Sequence, residues 1–301
     1  PHAGHVYSGT VAATAYARVA ALRGRVSRVV LAGPAHRAWV RGAAVPRADR
    51  FATPLGHVKV DAEAVARLRR LPFVAALDEA HAREHSLEVQ LPFLMATLGE
   101  FTLVPLVVGG ATPDEVALLL REVWGGEETL VVVSSDLSHF LPYEAARRRD
   151  LGTAEAITAL APRLEPEDAC GAAPVNGLLE VARQLGLEAE LVDLRNSGDT
   201  AGGRNQVVGY GAITTRTWPL SSRSGMGALP FPEHERPVAH HLGPAAGGVP
   251  RGAQVHQLGL QAQLASQLQQ AVHRRGAAGI LGFEPRGEGR DRVGRAAVAP
   301  A

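Results

Sequence analysis

The chain has 301 residues, 46% hydrophobic and 20% charged, a balance that supports a sizeable buried core. A formal charge of +1 gives no electrostatic reason to invoke nucleic acid or an anionic membrane as partner. A single cysteine excludes an intrachain disulfide framework and fits a reducing, cytoplasmic setting, and no apolar run reaches the roughly 18 residues of a membrane-spanning helix.

The chain opens on PHAGHVYSG, residues 1–9, a polar, glycine-punctuated stretch that predicts a loop carrying His2 and His5. It reads as the exit from a strand that is not present, so the chain is expected to lack its natural N-terminus, and it shows no signal-peptide pattern. An alanine-rich helix is expected over residues 10–22. Val29-Val30-Leu31-Ala32 has strand composition and runs into Gly33-Pro34-Ala35-His36, which puts a histidine just past a strand end. Thr53-Pro54-Leu55-Gly56 predicts a turn, and Asp61 the N-cap of a helix carrying Val65 and Leu68. In HAREHSLEVQLPFL, residues 81–94, Ser86 is the expected cap of a helix with Leu87, Leu91, Leu94, Met95 and Leu98 on its apolar face. Glu84 and His85 then sit just before that helix, where side chains can point into a cleft. Glu84 reads equally as a favourable charge at a helix N-terminus.

A second apolar strand spans residues 101–108, and Pro113-Asp114 opens the next helix. The segment LVVVSSDLSHF, residues 130–140, begins as a strand buried on both faces and turns abruptly polar at Ser134, Ser135, Asp136, Ser138 and His139. In α/β sheets chemistry collects at the carboxyl edge of the strands. Asp136 and His139 therefore read as metal ligands, as a general acid/base pair, or as a hydrogen-bonded structural pair. Asp and Ser after a strand are also ordinary caps and turn formers. A charged helix follows from about Tyr143. Cys170-Gly171 precedes a helix containing Pro174 and ending near Gly186; a thiolate there is stabilised by the helix N-terminus, whereas a lone cysteine is otherwise a small buried hydrophobe. Strands at residues 191–194 and 207–214 complete a count of about five strands with interspersed helices. That pattern predicts an α/β fold: a single domain over residues 1–218 with one central, largely parallel or mixed sheet flanked by helices. Residues 219–301 are rich in Gly, Pro, Ala, Arg and Gln, with helical pattern only over 258–272, and read as a low-complexity, disordered tail or a frame-shifted segment. His234, His240, His241, His256 and His273 within it read as solvated and without function.

His2, His36, Asp136, His139 and Cys170 all fall in loops after strands or before helices. Imidazole, thiol and carboxylate converging from separate loops point to a transition-metal pocket suited to iron, copper or zinc, since magnesium or calcium would need mostly oxygen ligands. The motifs PHAGHVYSG (1–9), GPAH (33–36), EHSLEVQLPFL (84–94), VVSSDLSHF (132–140), CGAAP (170–174) and NSGDTAGGRNQVVGYGA (196–212) resemble, in order, those of the Memo family, also called AmmeMemoRadiSam system protein B. The family is similar to class III extradiol dioxygenases, non-haem iron enzymes with an α/β fold. The resemblance implies a pocket with His2, His36 and Cys170 as metal ligands, iron or copper as the metal, and no organic cofactor. Asp136, His139 and His85 line that pocket by the same analogy, as the catalytic acid/base groups. It also implies company: a radical S-adenosylmethionine protein and a third protein of one modification pathway, of which the tail would be a damaged fusion remnant. Three departures stand out. Ala35 replaces the usual serine, His5 replaces a common tyrosine and adds a further donor, and Cys170 stands where the dioxygenases carry a carboxylate.

Three functions are compatible with these residues. The first is a metal-dependent redox enzyme. The second is a non-catalytic protein whose pocket binds a peptide or small ligand. The third is a metal-free hydrolase using Ser134 or Ser135 with His139 and Asp136, against which stands the absence of a Gly-x-Ser-x-Gly elbow.

Overall fold

The computed structural model describes residues 1–217 and the two-residue strand Phe283–Glu284. At its centre β1 (Arg28–Pro34) is paired in parallel on both sides, with β6 (Thr102–Val108) and with β7 (Thr129–Val133). Between β1 and β6 the chain makes four short strands: β2 (Ala43–Val45), β3 (Arg50–Thr53), β4 (Gly56–Val60) and β5 (Val74–Ala76). β4 joins β6 in parallel and β2 joins it antiparallel, β3 and β4 form a hairpin, and Phe283–Glu284 adds to β3. The result is a mixed sheet, the architecture predicted.

The side chains of the central strands sort by period two. Val29 and Leu31 of β1, with Leu103 and Val107 of β6, enter a core with Ala12, Ala13, Leu87, Leu91 and Leu94. Val30 and Ala32, with Val104, Leu106 and Val108, face the opposite way onto Val65, Leu68, Val116, Leu120 and Val181. Helices α1 (His5–Val19), α4 (His85–Glu88) and α5 (Leu91–Leu98) therefore cover one face. On the other lie α2 (Ala62–Leu68), α6 (Pro113–Val123) and α8 (Ala172–Gln184). A short α3 (Asp78–Ala82) precedes α4.

Four local expectations change. The opening segment is a loop only over residues 1–4, because Tyr7 and Ser8 donate their backbone N–H to Gly4 and the helix begins at His5. The helix expected after Ser86 is two helices, broken ahead of Pro92, which has no N–H to continue the first. Its cap is Glu84, which accepts from the Ser86 N–H. β7, expected to be buried on both faces, ends the large sheet among the described residues, and Leu130 to Val133 are half-buried. Finally, β8 (His139–Leu141), β9 (Leu187–Asn196) and β10 (Val207–Thr217) are not part of one continuous sheet but form a second, antiparallel one in the order β8-β10-β9. Helix α7 (Tyr143–Thr158) lies against β9 and β10. The Asp61 cap is present, accepting from the Ala64 N–H at 2.9 Å. The tail expectation for residues 219–301, with its histidines and the 258–272 helix, lies outside the described residues except at Phe283–Glu284. No described helix is long and apolar enough to cross a membrane.

Candidate metal centre

Because β1 and β7 run parallel, the segments leaving them emerge at the same edge of the sheet. Ala35-His36 leaves β1 there, and Ser134-Ser135-Asp136 leaves β7. The N-terminal loop is drawn to the same place by Asp136, whose Oδ1 accepts the backbone N–H of His2 at 2.7 Å. Cys170, two residues before α8, is tied in by its own N–H to the Asp136 carbonyl at 3.2 Å. Two glycines permit the close approach. A Cβ on Gly33 would meet the Ser86 Oγ at 2.8 Å, and one on Gly171 would meet Ser135 at 2.9 Å.

His2, His36 and Cys170 each present a donor atom within 4.8 Å of the other two. His2 is buried, with Nε2 at 3.3 Å from the Cys170 Sγ and Nδ1 at 2.9 Å from the Ser134 Oγ. Gln90 donates to that same hydroxyl at 2.9 Å and to the Pro1 carbonyl at 2.7 Å, and it accepts from the Tyr16 hydroxyl at 2.9 Å. A hydrogen-bonded chain thus runs from α1 through α5's entrance to the His2 ring. Burial drives the His2 pKa down to about 3, with Asp136 opposing, so the ring is neutral near pH 7.

His36 lies at the exposed rim. Its Nδ1 is 2.9 Å from Glu84 Oε1 and its backbone N–H donates to Glu84 Oε2 at 2.5 Å. Hydrogen bonding to Cys170 and then to Glu84 raises its pKa to about 10. Against burial, which pushes the other way, the His36 and Ser86 hydrogen bonds bring Glu84 down to about 2. The sulfur also accepts the Asp136 N–H at 3.3 Å.

The structure brings His85 to the same cluster. Its ring stacks on His36 at 4.8 Å between centroids and stands edge-on to His2 at 5.4 Å. Burial lowers its pKa, so it too is a neutral base near pH 7. Asp136 holds the His2 backbone, with Oδ2 3.9 Å from the His2 Nε2. His139 is placed differently: it pairs with Val208 across the second sheet and sets its ring 5.7 Å from Phe140. Among the described residues the clustered donor groups do not include it. His5 bonds the Val89 carbonyl at 3.2 Å and packs edge-on to Phe93, so its ring is spent within the helical layer. Ser134 is buried against His2 and Gln90, and Ser135 donates to the Asp136 carbonyl, so neither serine is paired with His139 as the hydrolase reading required.

The sequence of this site matches the family model "Memo-like protein" over residues 1–214. The chain belongs to the Memo family. Among curated relatives, a MEMO1 family protein of Ignicoccus hospitalis is 38% identical, over 71% of this chain and 80% of its own length. Others are one of Archaeoglobus fulgidus, 38% identical over 72% of this chain and 85% of its own length, and one of Aquifex aeolicus, 36% identical over 70% and 82%. A solved structure of the uncharacterized protein JW3007 from Escherichia coli K12 aligns at a TM-score of 0.41 and 14% identity, covering 66% of this chain and 92% of that one, a likeness too loose to bear on the site. Two residues of the site, Glu84 and Gln90, lie inside the EHSLEVQLPFL motif, yet the sequence alone gives neither a role in the pocket. Gln90 carried no local signal, because its importance lies in two partners far away in the chain. Glu84 carried one, its place beside His85, but a helix-start charge explained it as well.

Proposed function

We propose that this Memo-family protein holds iron or copper at His2, His36 and Cys170 and works as a metal-dependent redox protein on a small molecule. The observation that carries the reading is the convergence of two imidazoles and a thiol from three separate segments, with donor atoms within 4.8 Å of one another. That donor set suits a transition metal rather than magnesium or calcium. The orientation of the rings fits as well. Ser134 occupies the Nδ1 of His2 and Glu84 that of His36, which leaves Nε2 of each to meet a metal, that of His2 lying 3.3 Å from the Cys170 Sγ. Bound iron or copper would supply one-electron redox chemistry.

The protein's own groups divide the remaining work. Asp136 fixes the His2 backbone. His85, half-buried beside both ligand rings and neutral near pH 7, is positioned to accept a proton from a bound molecule. Elemental analysis after anaerobic loading with Fe²⁺ or Cu⁺ tests the reading, with single His2→Ala, His36→Ala and Cys170→Ala variants alongside. Near-stoichiometric metal in the parent, lost in all three folded variants, supports it. A parent that takes up neither metal sinks it and leaves a ligand-binding pocket as the alternative.

A further inference from the structure

We infer that Glu84 is a positioning residue for metal capture: it locks the His36 ring and dictates that Nε2, not Nδ1, faces the metal. The inference rests on the metal reading above.

A helix cap needs only one acceptor, and the Glu84 Oε1 fills that role by accepting from the Ser86 N–H at 2.9 Å. The rest of what Glu84 does is unnecessary for capping. The same Oε1 lies 2.9 Å from the His36 Nδ1, and Oε2 takes the backbone N–H of the same residue. One carboxylate thereby grips both the main chain and the ring of His36, removing the ring's freedom to turn. An ionised carboxylate accepts and does not donate. The proton of that contact must therefore sit on Nδ1, and Nε2 is the nitrogen at which a metal takes the place of a proton. The Glu84 side chain is only 1% exposed. Burying a charge is costly unless it is fully hydrogen-bonded, and a cap alone could be made by a neutral serine or threonine.

Glu84, His36 and His85 also form a cluster close enough to hold a cation of its own. The oxygens there are already engaged by three N–H donors, which makes Glu84 a support for the first site rather than a ligand of a second. Removal of such a support ordinarily costs about 10–100-fold in metal affinity.

The test uses Co²⁺ as probe, with chelator competition for affinity and the sulfur-to-cobalt charge-transfer band for geometry. It compares the parent with Glu84→Gln, which keeps one acceptor oxygen and the side-chain shape, and Glu84→Ala, which keeps neither. Nitrogen-15 NMR of the His36 ring in the metal-free protein supplies a second readout. Cobalt affinity is expected to fall about 10–100-fold in the Ala variant and less in the Gln variant. The band from Cys170 persists, and the slowly exchanging His36 Nδ1–H signal is lost in the Ala variant. If Glu84→Gln and any folded Ala variant bind cobalt within about twofold of the parent, and the ring proton still exchanges slowly, the inference is overturned while the metal reading stands. A parent that binds no cobalt overturns both.

Discussion

His2 and His36 turn the same kind of ring toward the same sulfur, yet they are held by opposite means. His2 lies in the interior, its Nδ1 facing a neutral hydroxyl that is itself wired through Gln90 to the buried Tyr16. His36 lies at the rim, its Nδ1 facing a carboxylate. The interior histidine has its pKa driven down to about 3 by burial, and the rim histidine has its pKa raised to about 10 by Cys170 and Glu84. A neutral network orients a ring without giving it charge, and so suits a site deep enough to exclude water. A carboxylate orients a ring more strongly but makes its proton harder to displace. The two halves of the centre should therefore respond differently to mutation and to pH.

Truncation gives the largest expected contrast. His2→Ala removes a proposed ligand, opens a cavity and strips the buried Ser134 hydroxyl of its ring partner. Each buried polar group so orphaned costs about 1–3 kcal/mol, with the cavity adding to it. His36→Ala removes the other proposed ligand, at a place where water can enter, and its effect on folding should be the smaller. Both variants should lose metal by more than the ~10–100-fold that follows loss of a supporting group. Urea denaturation beside elemental analysis separates the two effects; equal destabilisation by both substitutions would show that the interior and the rim are not distinct. Gln90→Leu sharpens the interior side. It leaves the Tyr16 and Ser134 hydroxyls without the amide, at an expected cost of about 1–3 kcal/mol. Metal affinity should also fall about tenfold, as for other outer-shell losses.

How much of this was legible in the chain depends on the range of the interactions. The central strands were readable because Val29–Ala32 and residues 101–108 are rich in large and β-branched apolar residues, and the Asp61 cap because its hydrogen bond is three residues away. The short strands β2, β3, β4, β5 and β8 were not, since their three to five residues mix one or two large apolar side chains with alanine, glycine, histidine or charge. The separation of the second sheet was hidden as well, because strand composition does not reveal which strand is the neighbour. At the site, His2, His36 and Cys170 were marked by their positions next to strand ends and a helix start, and by the family motifs. The proximity of His85 followed from its place at the start of α4. His139 shows the limit of that logic: three residues beyond Asp136, it enters β8 and faces a different set of partners. The Tyr16–Gln90–Ser134 chain links residues 74 and 44 positions apart, a relation that only the fold creates.

The pH dependence of the metal-free fold sets the interior against the rim most directly. His2 has a folded pKa below its ordinary 6.5, so the unfolded chain binds its proton more readily. Its contribution is complete above pH 6.5 and is lost as the pH falls toward 3. Urea midpoints should therefore decline from pH 6.5 to 4.5, a window above the ordinary pKa of Glu84, where that carboxylate adds nothing. A folded His2→Asn variant should decline less, and an unchanged slope would mean that His2 is not the group being titrated.

The smallest effect is expected at the rim, on the alkaline side. His36 has a folded pKa above 6.5, so its pairing with Cys170 and Glu84 stabilises the fold fully below pH 6.5 and is lost as the pH rises through about 10. With its side chain 28% exposed, solvent screens much of that interaction, and the expected decline is of the order of an exposed ion pair, about 0.2–1 kcal/mol. Metal binding should run the opposite way over the same interval, because a metal must displace the His36 proton and meets less competition as the pH approaches 10. The Cys170 thiol must also give up a proton to a metal, so the share of the rise that belongs to the rim histidine is the part that moves when Glu84 is changed. Glu84→Gln removes the charge that holds the proton and should move both changes to lower pH. If both curves keep their position in that variant, the carboxylate is not what sets the rim histidine's proton.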